Sequence, residues 1–289
     1  MTRPQPGTPT LLRALNDRAA LELLLARGPL TRTQIGELTG LSKVTASQLV
    51  ERLESRGLVS RSGVTAGGRG PNAALYAVVP SSGYAVGVEV GPDTVLAAAA
   101  DITGATGERI EVATGADPVR TVHAAVVQAS EAVGAPLTKV NQVVLGSPGV
   151  VDPATGDLAF AFDLPHWQRG LLDGLRNDLP CPVRIDNDVN LAAIAEAEVG
   201  VAQDVEDFAL FWVARGVGLA VVLGGKLYRG ATGGAGEIGY LPVPGSQVPH
   251  DVSRRDTPSF SRLAAADAIS ELAAAHGFTG GAADARRAA

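Results

Sequence analysis

Between Thr31 and Ser42 the chain marks the ends of two short helices with polar caps and a glycine, which narrows the possible folds sharply. Thr31-Arg32-Thr33-Gln34 has the S/T-x-x-Q form of a capping box, in which hydroxyl and amide side chains satisfy the exposed N–H groups of a helix start. It predicts a short helix with Ile35 and Leu38 facing inward. Gly40-Leu41 makes a tight turn, and Ser42 caps a third helix running through Val44, Leu49, Val50 and Leu53 to Gly57. Upstream, Leu11, Leu12, Leu15, Ala19, Leu21 and Leu23–Leu25 recur at helical spacing until Gly28-Pro29 stops the helix. Two helices joined by a short glycine-containing turn form the helix-turn-helix pattern.

A hairpin should follow, because Leu58-Val59-Ser60-Arg61 and Ala74-Leu75-Tyr76-Ala77-Val78 are strand-like and flank Gly67-Gly68-Arg69-Gly70-Pro71. A glycine-rich tip bearing Arg69 suits a wing that follows DNA into the minor groove, whose electronegative floor attracts guanidinium. The third helix offers Ser42, Lys43, Thr45, Ser47 and Gln48 near its N-terminus, where a recognition helix meets base edges, and Arg32 lies at the start of the helix before it. Gln can pair bidentately with adenine, and Thr can meet thymine through its methyl group. Charge points the same way: residues 1–80 have a balance of +5 against -11 for the remainder. Double-stranded DNA is therefore the expected partner of a domain spanning residues 1–80. The simpler account of a small packing module is weakened by the wing, the basic balance and the order of elements.

Residues 81–289 read differently. Tyr84–Val90, Val95–Asp101 and Glu108–Val112 form consecutive strands, Pro118–Val133 a helix, and Val140–Leu145 a buried strand. The strand Pro182–Ile185 precedes a helix over Asn190–Val199, and Phe208–Ala214, Gly218–Leu223 and Lys226–Tyr228 form a strand-rich second half. A last helix is expected over Phe260–His276, and Gly280–Ala289 has the composition of a poorly ordered tail. Pattern alone gives an α/β domain with a ligand cleft. No apolar run approaches the ~20 residues of a membrane span, and charged residues interrupt the first thirty positions as no secretory signal allows. Cys181 is the sole cysteine, excluding an intrachain disulfide and a cysteine-rich zinc site. The protein is expected in the cytoplasm.

Four motifs carry a family resemblance. Gly146-Ser147-Pro148-Gly149-Val150-Val151-Asp152 looks like the substrate loop of the ROK (repressor, ORF, kinase) family. Arg184-Ile185-Asp186-Asn187-Asp188-Val189-Asn190-Leu191-Ala192-Ala193 resembles its ENDxNxAA element, Ala214–Ala220 its second glycine-rich phosphate loop, and Gly234–Gly239 its AGEIGH element. The N-terminal stretch, with Asn16, Arg18 and the run Gly28 to Ser42, resembles the winged-helix domain of ROK regulators. The resemblance implies a winged helix-turn-helix followed by an actin-like ATPase, sugar-kinase-like (ribonuclease H-like) domain. It further implies a sugar or sugar derivative bound by Gly149, Asn187, Asp188 and Glu237, with Asp188 standing where the kinases keep their general base. Asn187 and Asp188 could equally cap a helix, the glycines at 216–218 could form a plain hairpin turn, and His166 and Trp167 either line the cleft or pack at the surface.

The departures are as informative. The kinases' first phosphate loop reads D-x-G-G-T, whereas here it is Glu89-Val90-Gly91-Pro92-Asp93-Thr94. Proline removes an N–H donor, and Asp93 puts negative charge where phosphate would sit. The family's histidine after GEIG is Tyr240, its zinc cluster has no counterpart between Pro242 and Leu263, and Asp163 stands where asparagine is usual. Family members continue well beyond the position of Gly280, so the larger domain is expected to be incomplete at its C-terminal end, as a fragment or by natural shortening.

These readings predict a repressor of carbohydrate-related genes, with no enzymatic activity, cofactor or metal. It would bind an inverted repeat as a symmetric homodimer or higher homo-oligomer. The alternatives are a ligand-independent DNA-binding protein whose kinase-like domain only dimerises, and an active ROK sugar kinase.

Overall fold

The computed structural model describes residues 9–65, 72–160, 170–244 and 259–278. The wing tip with Arg69, the segment holding Asp163, His166 and Trp167, the zinc-cluster region after residue 244, and the tail from 279 lie outside the described residues.

The first unit runs α1 (Pro9–Arg27), β1 (Leu30–Thr31), α2 (Arg32–Thr39), α3 (Lys43–Ser55), β2 (Val59–Val64) and β3 (Ala74–Val78). The predicted capping box is present: the Thr31 side chain accepts from the Gln34 backbone N–H, and the Gln34 side chain accepts from the Thr31 N–H at 2.9 Å. Ser42 caps α3 by accepting from the Thr45 N–H. Gly36 permits the close α2–α3 crossing, since a Cβ there would lie 3.2 Å from both the Ala46 Cβ and the Leu41 carbonyl. Ala20, Leu24, Ile35, Leu49, Val50, Leu53, Val59 and Tyr76 form the core. One expectation is corrected: Leu38 is 44% exposed, because the buried stripe of α2 ends at Ile35 and Gly36. On α3 the buried stripe is Ala46, Leu49, Val50 and Leu53, and Val44 is 68% exposed. The β2–β3 hairpin pairs antiparallel, with β1 on the far side of β3.

A 3-10 turn at Pro80–Ser82 leads into β4 (Tyr84–Val90), β5 (Thr94–Asp101), β6 (Ile110–Ala113), α4 (Pro118–Ala132) and β7 (Val140–Ser147). The short hairpin β8 (Val150–Val151) and β9 (Leu158–Phe160) follows, then α5 (Leu171–Asp178), β10 (Val183–Asn187) and α6 (Asp188–Glu198). One five-stranded sheet has the order β10-β7-β4-β5-β6, with β4, β7 and β10 paired parallel and β5 antiparallel to both of its neighbours, β4 and β6. Strand residues alternate, so Val86, Val88 and Val90 enter the core while Glu89 faces the opposite side. The alanines of β5 let α4 settle on the sheet through Val122, Ala125, Val126 and Ala129.

The last part comprises β11 (Phe208–Val213), β12 (Val217–Leu223), β13 (Lys226–Leu227), α7 (Phe260–Ala264) and α8 (Ala266–Ala275). The strands form a three-stranded antiparallel sheet on which α6 packs through Val189 and Ala193. The single helix expected over 260–276 is two helices. Ala265 is extended, and the Ala266 N–H bonds the Ala214 carbonyl rather than continuing a helix. Helix α5 was not foreseen; its Leu171, Leu172 and Leu175 are buried in the main core.

Leu145 is fully buried at the centre of the larger core. Leu145→Ala removes that packing and leaves a cavity, so chemical denaturation should report a loss of about 3 kcal/mol with the m-value unchanged.

Candidate functional site

The first candidate surface is the outward side of α3. Lys43, Thr45 and Gln48 are exposed there and Ser47 is half-buried. The Ser42 hydroxyl is engaged as the helix cap and lies 2.9 Å from the Thr45 hydroxyl. Arg32 is more enclosed than expected: its guanidinium lies 5.2 Å from the Tyr76 ring centroid, and its Nη1 is 3.6 Å from Glu51. It braces α2, α3 and β3 together. The exposed Val44 adds an apolar group between Lys43 and Thr45.

One residue that the sequence reading missed sets the pose of this helix. Asp17 of α1 is 8% exposed and accepts from Arg52 of α3 through Nε at 3.1 Å and Nη2 at 2.5 Å. Arg56 Nη1 lies 3.6 Å from Oδ2, the oxygen that also accepts from Arg52 Nε. A carboxylate inside an apolar helix stripe was the available signal, since such a group needs a partner when buried. A groove of about 500 Å3 between α1 and α3 has Asp17, Arg52, Arg56 and Leu58 among its lining residues.

The second candidate site lies where the parallel strands end. Glu89, Gly146 and Asp186 stand in one row across β4, β7 and β10, and Asn187 is paired with Ser147. Asn187 is the N-cap of α6: its Oδ1 accepts from the Asn190 N–H, and its Nδ2 donates to the Gly149 carbonyl at 3.0 Å. Both ends of this amide therefore have protein partners, and they lock the Gly149 loop to the start of α6. Asp188 follows as the first residue of the helix, and its Oδ1 accepts from the Val189 N–H.

Glu237 comes to the same place from the other half of the molecule. Its loop tolerates no side chain at two points: a Cβ on Gly233 would sit 2.2 Å from the Val151 carbonyl, and one on Gly236 1.7 Å from that of Leu219. Both glycines have positive φ, 81° and 94°. The loop is thus clamped between the two halves. Burial pushes the Asp188 carboxyl above the usual range, with Glu89 adding to the effect and Arg215 opposing it. Burial also raises Glu237, reinforced by the charge of Asp188. Two mutually repelling carboxyls in a partly dehydrated cleft form an acceptor pair suited to hydroxyl groups.

The structure brings Gly149, Asn187, Asp188 and Glu237 close together where the two halves of the larger domain meet. At the edge of this site, the β4–β5 turn bonds the Gly91 N–H to the Thr94 carbonyl at 2.8 Å. Pro92 has no N–H, so Asp93 alone among the three turn residues retains a donor for a phosphate. The Ala214–Gly216 run closes the β11–β12 hairpin, with the Ala214 N–H on the Gly216 carbonyl. Arg215 in that turn comes close to Gly91: its Nη2 is 3.9 Å from where a Gly91 Cβ would lie. Among the described residues no group of three His, Cys, Asp or Glu side chains is placed to hold a metal.

The raised carboxyls make stability depend on pH with a definite sign. A carboxyl whose folded pKa exceeds its unfolded pKa holds its proton longer when folded, so stability falls as pH rises between those values. Asp188→Asn keeps the acceptor for Val189 but removes the ionisation. Its melting temperature should exceed that of the wild type, by a margin that grows as pH rises through the carboxylate range and then levels off.

Comparisons with known proteins bear on the family and fold of the two units. The ROK family profile matches residues 85–257, and the MarR family profile matches residues 15–70. The xylose repressor of Caldicellulosiruptor bescii is 29% identical over 245 residues, covering 82% of this chain and 61% of the repressor. The DNA-binding transcriptional dual regulator NagC of Escherichia coli K12 is 26% identical over 246 residues, covering 83% of this chain and 60% of the regulator. The chain thus spans about three fifths of the length of these curated relatives. A ROK family transcriptional regulator, described as a homolog of the E. coli MLC protein, superposes with a TM-score of 0.70 at 19% identity, covering 92% of this chain and 68% of its own. A ROK family glucokinase from Streptomyces griseus, solved with glucose and AMPPNP, gives a TM-score of 0.58 at 28% identity, covering 66% of this chain and 60% of its own. A winged helix-turn-helix and a sugar-kinase-like α/β domain share this one chain, and the profile match over more than half its length establishes that the chain belongs to the ROK family.

Proposed function

We propose that the chain is a DNA-binding transcriptional regulator, a repressor of carbohydrate-related genes, governed by a sugar or sugar derivative in the cleft of its larger domain. The observation that carries this reading is the exposed Lys43–Gln48 face of α3 on the same chain as the Asp188–Glu237 cleft. Relatives named as a xylose repressor and as a DNA-binding transcriptional regulator support it over most of the chain. The units divide near residue 80. Residues 1–80 meet double-stranded operator DNA, with Arg69 of the wing tip assigned to the minor groove, and the protein acts in the cytoplasm. Each winged helix reads one half-site, so a symmetric dimer on an inverted repeat is the geometry such a unit requires.

The cleft has lost phosphoryl transfer in this reading. Proline and aspartate in the first turn leave too few donors for a nucleotide phosphate, and Asp93 repels it. Asp188 then serves as a hydroxyl acceptor in place of a general base. Sugar binding in one lobe arrangement shifts the population of that arrangement and so the spacing of the recognition helices.

Fluorescence anisotropy on DNA from the protein's own promoter region, with nonspecific competitor and a salt series, tests the first half. Lys43→Ala and Gln48→Ala should each weaken specific binding by about tenfold, with the Lys43 change also flattening the salt dependence. Binding no tighter than to random DNA in every condition would overturn the regulator. Thermal shift against a sugar panel tests the second half, since a ligand of the folded state must raise its melting temperature. Asp188→Ala should abolish that shift, and a response that survived it would place the effector elsewhere.

A further inference from the structure

Asp186 is almost fully buried at the end of β10, 3% exposed, yet it faces two arginines. Arg229, which follows β13 in the opposite half, donates through Nη2 to Oδ2 at 2.6 Å and through Nε to Oδ1 at 3.4 Å. Arg184, two residues back on the same strand, donates to the same Oδ2 at 2.9 Å, with its side chain 58% exposed. The Arg229 carbonyl accepts from the Ala235 N–H, so this residue also anchors the loop that carries Glu237. One carboxylate therefore has one arginine partner on the opposite half and one on its own strand.

We propose that Asp186, Arg229 and Arg184 form a reversible latch between the two halves of the larger domain, with Arg229 positioning the Glu237 loop over Asp188 and Arg184 neutralising Asp186 when the latch opens. A buried carboxylate stripped of its partner is strongly destabilising. With Arg229 alone, opening would leave the Asp186 charge with only the neutral Asn187 N–H, which donates to its Oδ1 at 3.0 Å, and the cleft would be held shut. Arg184 removes that penalty because it sits on the same strand and stays in place. The two arrangements come close enough in free energy for a ligand bridging Asp188 and Glu237 to choose between them. The assignment of a ligand rests on the effector reading above; the latch itself rests on the three side chains.

The test compares Arg229→Gln and Arg184→Gln in the full chain by amide hydrogen exchange over residues 229–237, without ligand. Loss of Arg229 frees the loop, and exchange there should speed up by about tenfold. Loss of Arg184 makes opening costly, and exchange should slow by a similar factor, although the substitution removes an ion pair. Arg229→Lys should fall between wild type and Arg229→Gln. A merely structural ion-pair cluster would loosen under both substitutions, so shifts in the same direction, or no shift in either, would overturn the latch. The same variants are then titrated with D-xylose and N-acetylglucosamine, and a sugar that binds should bind more tightly to Arg184→Gln and more weakly to Arg229→Gln. If neither sugar nor any other of the panel binds the wild type, the effector reading fails while the exchange comparison still decides the latch.

Discussion

The parallel pairing of β10 on β7 is the constraint on which the larger domain depends. It brings Ser147 beside Asn187 and Gly146 beside Asp186, although about forty residues separate each pair in the chain. From that junction the Asn187 amide reaches forward to cap α6 and sideways to the Gly149 carbonyl. Asp188 then enters the cleft as the first residue of a helix whose position is already fixed. The Asn187 and Asp188 groups of the candidate effector site are both held by this meeting of strand ends.

The same junction explains why capping and ligand binding do not exclude one another. Asn187 is a helix cap in this structure, as its residue type allows. Being a cap makes it rigid, and rigidity lets the next residue present a carboxyl in a defined direction. The two halves also divide the work. The Asn187–Asp188 side comes from a parallel strand and its helix, whereas Glu237 arrives on a loop with no room for a Cβ at Gly233 or Gly236. A motion that separates the halves must separate the two carboxyls.

Much of this was legible in the sequence where local chemistry decides structure. The Thr31–Gln34 capping box, the Ser42 cap, the β4 and β5 boundaries and the strand-to-helix step near Asn187 all depend on residues within a few positions of one another. The failures occurred where tertiary packing decides. Leu38 is an apolar residue on a helix, but only the packed stripe shows that it faces outward. The break at Ala265 comes from a bond to Ala214, fifty residues away, and no helix-breaking residue announces it. In the candidate sites, Asp188 and Glu237 stood out by motif, whereas Asp17 and Arg229 matter through partners that only folding supplies.

The pairing of arginines in the first unit has a consequence for how tightly it can hold nucleic acid. Of the eight Lys and Arg side chains among its described residues, Arg18, Arg32, Arg52, Arg56 and Arg61 each lie within ion-pair distance of a carboxylate of their own domain. A cation already neutralised displaces few condensed counterions from a duplex. The bare count of ten Lys and Arg in residues 1–80 therefore overstates the electrostatic grip of a single unit, and the net surplus of +5 is the better measure, with Arg13, Arg27 and Lys43 among the cations left to supply it. On the regulator reading proposed above, one such unit would slide and dissociate readily, and residence at a particular address would come from two units joined at a fixed spacing, where effective concentration multiplies two weak holds into one firm one.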